Sequence, residues 1–460
     1  MTKKPYILAA TSLILISALP SDATTQRRIL PSAQTADYDI TAYEMIEGLT
    51  TEVGQRQAGT EAEGRARTWA LKKLKSMGFD NVREENFMMP TWVRGAEKAE
   101  VISPYPQKLE ITALGNSAST GDKPLEGDIL YVPTFDDLTR MNSAEFRGKI
   151  IFVDHQMRPA QDGSSYGYFG KARFMGPNIA AKNGAAAIIV RSIGTDSHRL
   201  PHTGNTNFDE GITAIPAGAI SNPDADNLVH ILKKDRAIRL SLTLTPRNLG
   251  QQKSGNIIAE VTGKNPALPP IIIACHLDSW DLGTGAIDDA AGCGIITAAA
   301  SKFIGNTRPK RTIRILWAGA EEVGIWGGKD YTAKHRDTPH ALAMESDFGA
   351  DRIWRVDFKL PESAKSLSEQ IAIRLAPLGI STGKGDTGAG ADVEGIIKAQ
   401  NLGIINLQQD GTRYFDLHHT ADDTLDKIDK DQLRQNVQAW TTVLELVANY
   451  EGELTLGTKP

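Results

Sequence analysis

The sequence contains very little cysteine. Only Cys275 and Cys293 occur among 460 residues, which excludes the disulfide-rich scaffolds of small secreted domains. A chain of this length buries a large hydrophobic core without covalent links, so its stability does not require a bridge. We expect two buried thiols, with a single disulfide as the alternative.

The sequence also lacks an excess of positive charge. Its 51 Lys and Arg residues face 56 Asp and Glu residues, which gives a net charge of -5. Such a balance provides no basic field of the kind that attracts nucleic acid or an anionic membrane. We therefore expect neither as a partner.

Long hydrophobic runs are absent after the first 20 residues. The apolar stretch from Tyr6 to Leu19 follows Lys3 and Lys4 and precedes small residues near Ala23, a pattern typical of a secretory signal. A membrane anchor is the alternative, but the stretch is shorter than the ~20 residues that a spanning helix needs. We expect a signal peptide at residues 1–23 and an exported protein, periplasmic or secreted, with no membrane attachment after cleavage.

Three regions follow the predicted signal. Between Tyr38 and Phe87 the spacing of apolar residues such as Trp69 and Leu74 predicts helix. Short β-like pieces then predict a mainly β insert, and alternating apolar strands and helices predict an α/β domain with a mixed, largely parallel sheet and helices on both faces. The expected boundaries are 38–124 for the first part of the α/β domain, 125–250 for the insert and 251–455 for the remainder.

Acidic and imidazole side chains follow successive predicted strands of the α/β region. They are His276, Asp278, Asp288, Asp289, Glu321, Glu322, Asp347 and His419. Because the carboxyl ends of parallel strands meet at one edge of a sheet, we expect these side chains to lie together. Buried carboxylates are costly unless a cation neutralises them, so the pattern predicts a divalent metal pair.

The residue types also indicate which metal would bind. Imidazole with carboxylate suits zinc, and a carboxylate can bridge two ions about 3.5–4 Å apart. Asp278 is placed to hold the far nitrogen of His276, and of the adjacent Glu321 and Glu322 one can bind metal while the other acts as general base. Taken singly, a His-x-Asp motif is more often a loop pair, a Glu-Glu pair is usually a solvated helix start, and an Asp-Asp pair is typical of a helix cap. Their convergence favours a site.

These motifs resemble those of a known family. HLDSWDLGTGAIDDAAG, RPKRTIRILWAGAEEVGIWGG, AMESDFG and HHTADDT occur in this order and look like the motifs of the di-zinc M28 peptidases, closest to the branch of plasma glutamate carboxypeptidase, also called carboxypeptidase Q. GQRQAGTEAEGRARTWALKKLKSMGF is similar to the amino-terminal segment of that family. GKIIFVD, AAKNGAAAIIVRS and AIPAGAIS resemble its protease-associated domain, which would be the insert.

The resemblance implies two zinc ions per chain and a role for each matching residue. Asp288 would bridge both ions, and the remaining ligands would be His276 and Asp347 for one ion and Glu322 and His419 for the other. Glu321 would be the general base, Asp278 would support His276, and the Asp288–Asp289 peptide bond would be cis. Glu345 competes with Asp347, and His418 competes with His419.

The implied activity is that of an exopeptidase, an aminopeptidase or dipeptidase that acts on short peptides. Trp280, Asp392 and Tyr414 are candidate substrate contacts, although aromatic residues beside a motif are more often packing. Arg413 is interpreted as solvated, and His155, His198, His202 and His230 are given no role. The branch also suggests a homodimer. The alternatives are a metal-free, receptor-like binding ectodomain of the same fold and a single-zinc enzyme similar to glutaminyl cyclase.

Overall fold

The computed structural model describes residues 38–234, 237–383 and 387–457, and for residues 38–40 it describes the backbone only. The predicted signal peptide at residues 1–23 lies outside this part of the chain. No helix among the described residues is both long and apolar enough to cross a membrane.

Sixteen strands and fourteen α-helices occur in the described residues. The strands are β1 (Asp80–Val93), β2 (Glu97–Ser103), β3 (Gln107–Leu109), β4 (Ile111–Ala113), β5 (Leu125–Val132), β6 (Ile150–Val153), β7 (Ala187–Arg191), β8 (Ala217–Ile220), β9 (Arg239–Leu244), β10 (Arg247–Val261), β11 (Ile271–His276), β12 (Ile313–Ala318), β13 (Leu342–Glu345), β14 (Ile353–Lys359), β15 (Ser381–Thr382) and β16 (Gly403–Gln409). The helices are α1 (Tyr38–Gly48), α2 (Glu61–Ser76), α3 (Phe135–Arg140), α4 (Ser143–Phe146), α5 (Tyr166–Phe169), α6 (Lys171–Phe174), α7 (Gly176–Lys182), α8 (Asn222–Lys234), α9 (Ala291–Ser301), α10 (Trp326–His335), α11 (Lys365–Leu375), α12 (Ala391–Gln400), α13 (Tyr414–Leu417) and α14 (Lys430–Val447).

The α/β domain is built on a mixed sheet. The described strands follow the order β1-β10-β12-β11-β13-β16-β14-β15, and the central four, β12, β11, β13 and β16, are parallel to one another. This confirms the predicted fold class. The carboxyl ends of these four strands lie at one edge of the sheet, the edge where sites form in such folds.

Helices cover both faces of this sheet because its central strands are apolar on both sides. In β11 every residue is buried, as expected for a parallel strand that is covered on both faces. Ile271 and Ile273 face the core that contains α1, α9 and α14, whereas Ile272 faces the core of α10 and α12. Each fully buried isoleucine contributes about 1.5–3 kcal/mol, so the strand ends are held on a rigid base.

The insert forms a second sheet with the order β3-β2-β9-β5-β6-β7-β8-β4. It begins at Glu97, so three strands of this sheet precede the boundary expected at residue 125. Its centre also contains helices, because β5 to β8 run parallel and short helices connect β5 to β6 and β6 to β7. The long pair of β1 and β10 connects this sheet to the α/β domain. It continues to Val93 and Arg247, with a register shift between Pro90 and Trp92.

Two local expectations differ from the structure. Asp80 to Phe87 belong to strand β1 and not to a helix, because they pair with β10. Cys275 and Cys293 form a disulfide and are not free thiols. The end of β11 lies against the first turn of α9, which brings the two Cα atoms to 5.2 Å, within the range that a bridge requires.

Candidate metal centre

Four separate segments deliver the predicted ligands to the carboxyl edge of the sheet. His276 is the last residue of β11, Glu322 follows β12, and Asp347 follows β13. His419 is the second residue after α13, and Asp288 lies in the single turn Ala286–Ala290 that precedes α9. Since each position lies at or within four residues of the end of a strand or helix, the cluster is placed by the fold.

Asp288 lies at the centre of the cluster and faces two histidines. Its Oδ1 is 3.1 Å from His276 Nε2, and its Oδ2 is 3.3 Å from His419 Nε2. The side chain is 5% exposed, and the Asp288–Asp289 peptide bond is cis, as the resemblance implies. The two carboxylate oxygens therefore point toward two different nitrogen donors.

A second carboxylate completes each side of Asp288. Asp347 Oδ1 is 3.3 Å from His276 Nε2, and Glu322 Oε2 is 2.9 Å from His419 Nε2. The structure thus forms two groups that share Asp288, and each contains one imidazole and one further carboxylate.

The geometry also distinguishes the alternative metal ligands, favouring Asp347 over Glu345 and His419 over His418. Glu345 is turned away, because its Oε2 accepts a hydrogen bond from the Val393 backbone N–H at 3.1 Å. The nearest approach of His418 to Asp288 is 3.7 Å. The His418 ring stacks on His419 with centroids 3.5 Å apart, so it packs behind the nearer imidazole.

Backbone carbonyls orient both histidines. The Nδ1–H of His276 donates to the Asp278 backbone carbonyl at 3.0 Å, and the Nδ1–H of His419 donates to the Thr203 carbonyl at 3.2 Å. Each Nε2 therefore faces Asp288, which is the orientation a metal-binding imidazole needs.

The carboxylate of Asp278 contacts different atoms from those expected. It lies 3.7 Å from His276 Nδ1, beyond hydrogen-bond range. Instead its oxygens accept the backbone N–H groups of Glu321 and Glu322 at 3.0 and 3.3 Å. Asp278 therefore holds the turn that carries the predicted base and one predicted ligand, while its backbone carbonyl orients His276.

The carboxylates of the cluster are buried close together, an arrangement that a bound cation would stabilise. Burial raises the pKa of Glu322 well above 4.5, and Asp288 adds to the shift. Burial likewise raises the pKa of Glu321 to about 8 against the opposing effect of His276. Two buried oxygens, Asp288 Oδ2 and Glu322 Oε1, lack any hydrogen-bond partner among the described residues. Unpaired buried carboxylate oxygens of this kind fit a bound cation.

The two imidazoles titrate in opposite directions. Burial lowers the pKa of His419 to about 3, so this ring is neutral, the form that binds metal. Burial also opposes charge on His276, but the carboxylates led by Asp347 raise its pKa well above 6.5. The nitrogen and oxygen donors at this centre suit zinc, so the residues present fit the implied metal.

A cleft of about 370 Å³ opens onto the cluster. Glu321 and Asp347 lie on its acidic side, and the rings that line it are Tyr166, Phe174, Phe348, Tyr414, Phe415, His418 and His419. The predicted contact Tyr414 is among them. The cleft combines a charged floor with apolar walls, which is the composition expected of a small-ligand site.

Two of the predicted substrate contacts lie elsewhere. Of the described residues, neither Trp280 nor Asp392 lines this cleft. Trp280 is 3% exposed, and its ring lies 5.9 Å from that of His419, behind the cluster. Asp392 is buried in the first turn of α12, where Glu345 adds to the effect of burial in raising its pKa. Neither residue is therefore placed to contact a substrate in this cleft.

Arg413 forms an ion pair within the protein and needs no substrate carboxylate as a partner. Its guanidinium donates two hydrogen bonds to the carboxylate of Asp351, at 2.6 and 3.1 Å.

The insert supplies contacts that the sequence motifs did not reveal. His202, which was given no role, is fully buried, and its Nδ1–H donates to the backbone carbonyl of His418 at 2.6 Å. His198 Nε2 contacts the Asp416 carbonyl at 3.0 Å, and the Thr203 N–H donates to the His419 carbonyl at 3.0 Å. The segment that carries His419 is thus held by the insert.

Arg56 anchors the loop between β11 and Asp288. It is fully buried and donates to the carbonyls of Leu277, Thr284 and Gly285 at 2.6, 2.5 and 2.8 Å. The residue lies in GQRQAG. In the sequence this motif indicated only a resemblance to the family and predicted no role for the arginine. Its function becomes visible once the two segments, more than 220 positions apart, are in contact.

Comparison with known proteins gives this centre a family context. The model of peptidase family M28 matches residues 256–444, which include the proposed ligands. Carboxypeptidase Q of Mus musculus is 31% identical over 430 residues, covering 92% of this chain and 89% of that protein. This chain belongs to peptidase family M28. The expected resemblance and the expected metallo-exopeptidase class are confirmed.

Solved structures agree with this assignment. A peptidase M28 precursor from Shewanella amazonensis SB2B is 42% identical and superposes with a TM-score of 0.89, over 93% of this chain and 97% of that one. BSAP, a zinc aminopeptidase from Bacillus subtilis, shares the fold at 20% identity with a TM-score of 0.64, over 91% of this chain and 97% of that one. Each alignment covers at least 91% of this chain and therefore extends over the insert as well as the α/β domain.

Proposed function

We propose that this chain is a zinc-dependent exopeptidase that hydrolyses dipeptides or other short peptides, with two zinc ions that share Asp288. The two-sided arrangement of Asp288 carries the proposal, because each oxygen faces one imidazole and each imidazole faces a further carboxylate. A single-zinc site would not need this second set. The names of the relatives, a carboxypeptidase and an aminopeptidase, support cleavage at a chain end.

The metal would be held by His276 and Asp347 on one side of Asp288 and by Glu322 and His419 on the other. When bound, the two ions would lower the pKa of a water between them and polarise the scissile carbonyl. Glu321 lines the cleft beside Asp347. It accepts the proton of the attacking water and returns the proton to the departing amine. Asp278 keeps Glu321 in place through its backbone N–H.

Paired variants test the proposal. Glu321→Gln should retain zinc and lose at least ~100-fold in kcat, since general acid–base catalysis contributes about 10²–10⁴-fold. Asp288→Ala should lose zinc as well as activity. Glu369→Gln on the exposed surface of α11 is the matched control and should behave like the wild type. Wild-type turnover in a folded Glu321→Gln protein would contradict the assignment.

Export and dimerisation belong to the same proposal. The buried disulfide agrees with an oxidising compartment, periplasmic or extracellular, and the family branch suggests a homodimer. Fractionation of the producing cells and light scattering of the purified protein test these two points separately.

A further inference from the structure

The insert places one arginine in the cleft. Arg173 lies in α6, is 1% exposed, and lines the same cavity as Glu321 and Asp347. Its Cζ lies 4.6 Å from the ring centroid of Phe174. A Cβ atom at Gly204 would lie 2.4 Å from this Cζ, so the glycine leaves the room that the guanidinium occupies.

The guanidinium has unused hydrogen-bond donors. Arginine carries five N–H groups; here Nη1 donates to the Thr203 carbonyl at 3.1 Å and Nη2 donates to the Tyr166 hydroxyl. Nε is buried without a partner. Among the described residues no carboxylate forms an ion pair with Arg173, whereas Arg191 in the same insert is paired with Asp154 at 2.5 Å.

A buried arginine that has no acidic partner and lines a cleft is suited to an anion. Leaving a buried charge unpaired is costly, and a carboxylate matches the guanidinium fork in both charge and shape. We propose that Arg173 binds the free terminal carboxylate of the substrate, on the side of the residue that leaves. This inference rests on the proposed peptidase function and names the substrate class for it.

The position of Arg173 determines which carboxylate it would bind. The Thr203 carbonyl accepts hydrogen bonds from both Arg173 Nη1 and His419 Nδ1, and these two nitrogens lie 3.4 Å apart. The guanidinium is therefore one imidazole width from the metal cluster. Consecutive Cα atoms are ~3.8 Å apart, so with the scissile carbonyl at the cluster, the carboxylate that reaches Arg173 belongs to the next residue. Dipeptides satisfy this condition, and longer peptides present an uncharged amide there.

The test compares dipeptides with their carboxamides. In the zinc-loaded wild type, kcat/KM for each free dipeptide should exceed that for its carboxamide by roughly 10- to 100-fold, the range of one charge-assisted hydrogen bond. Arg173→Gln should abolish this ratio, because the KM for the free acid rises until the acid and its carboxamide are used equally well. Arg413→Gln, whose guanidinium is already paired with Asp351, is the matched control and should keep the wild-type ratio.

Binding to the Glu321→Gln protein supplies a measurement that does not depend on turnover. Calorimetry should show tighter binding of the dipeptide than of its carboxamide, and the difference should disappear when Arg173→Gln is added. Tyr166→Phe, which keeps the arginine and its charge, should retain most of the preference. An unchanged preference in the Arg173→Gln protein, or equal use of acid and amide by the wild type, would overturn the inference while leaving the peptidase intact. If no peptide is hydrolysed, the proposed function fails instead, and equal affinities in the binding assay would then overturn the carboxylate site on their own.

Discussion

The contacts of Asp278 lead to a quantitative prediction. Its two carboxylate oxygens accept the N–H groups of Glu321 and Glu322 at 3.0 and 3.3 Å, and the side chain is fully buried. Asp278→Asn retains one acceptor oxygen and introduces an NH₂ group that cannot accept. At least one backbone N–H of the turn therefore loses its partner, at a cost of about 1–3 kcal/mol.

Because the lost hydrogen bond positions the predicted base Glu321, the substitution should reduce the catalytic rate. A loss of about 1–3 kcal/mol in transition-state stabilisation corresponds to a decrease of roughly 5- to 150-fold in kcat/KM. Zinc content should stay close to that of the wild type, because the His276 nitrogen is oriented by the backbone carbonyl of Asp278, which the substitution retains.

The assay is steady-state hydrolysis of a dipeptide by the zinc-loaded variant, with metal content measured on the same sample. Asp337→Asn, on an exposed segment after α10, is the matched control. Wild-type kcat/KM in Asp278→Asn would show that the Asp278 carboxylate does not position the turn. Complete loss of zinc would show that the Asp278 carboxylate is needed to hold the metal, either directly or through the predicted ligand Glu322, which also refutes the reasoning.

Two further predictions concern stability. Arg56→Met removes the donors to the Thr284 and Gly285 carbonyls and the charge that fixes the loop. Because each buried acceptor left unpaired costs about 1–3 kcal/mol, chemical denaturation should show a free energy of unfolding lower by several kcal/mol. An unchanged value would contradict the anchoring role. Replacing Cys275 and Cys293 together by alanine removes a disulfide with a sequence separation of 18. The free energy of unfolding should fall by about 3 kcal/mol. An equally stable double variant would show that the disulfide does not contribute to stability.

The sequence predicted the α/β domain well because its signals are local. The buried run Ile271–His276 and the charged residues that follow successive strands are visible in the linear pattern. The convergence of His276, Asp288, Asp347 and His419 follows from the rule that parallel strands end at one edge. The structure brings these side chains within 3.3 Å of one another in the pairs that the resemblance implied.

The sequence did not reveal features that depend on contacts between distant segments. Arg173 and His202 reach the His419 segment across more than 200 positions, and neither lies in a motif that would distinguish it from a surface residue. Burial of Trp280 behind His419 depends on the insert core, which the sequence does not delimit. The helix predicted for Asp80–Phe87 was wrong because pairing with the distant strand β10 determines the structure there, and the local sequence does not show this pairing.

The metal content of the purified protein tests the central claim most directly. Elemental analysis, combined with dipeptide hydrolysis before and after chelation, should give close to two zinc ions per chain and cleavage that stops when zinc is removed and returns when it is restored. A folded protein that binds no zinc, or that cleaves dipeptides equally well without it, would contradict the metal centre proposed around Asp288.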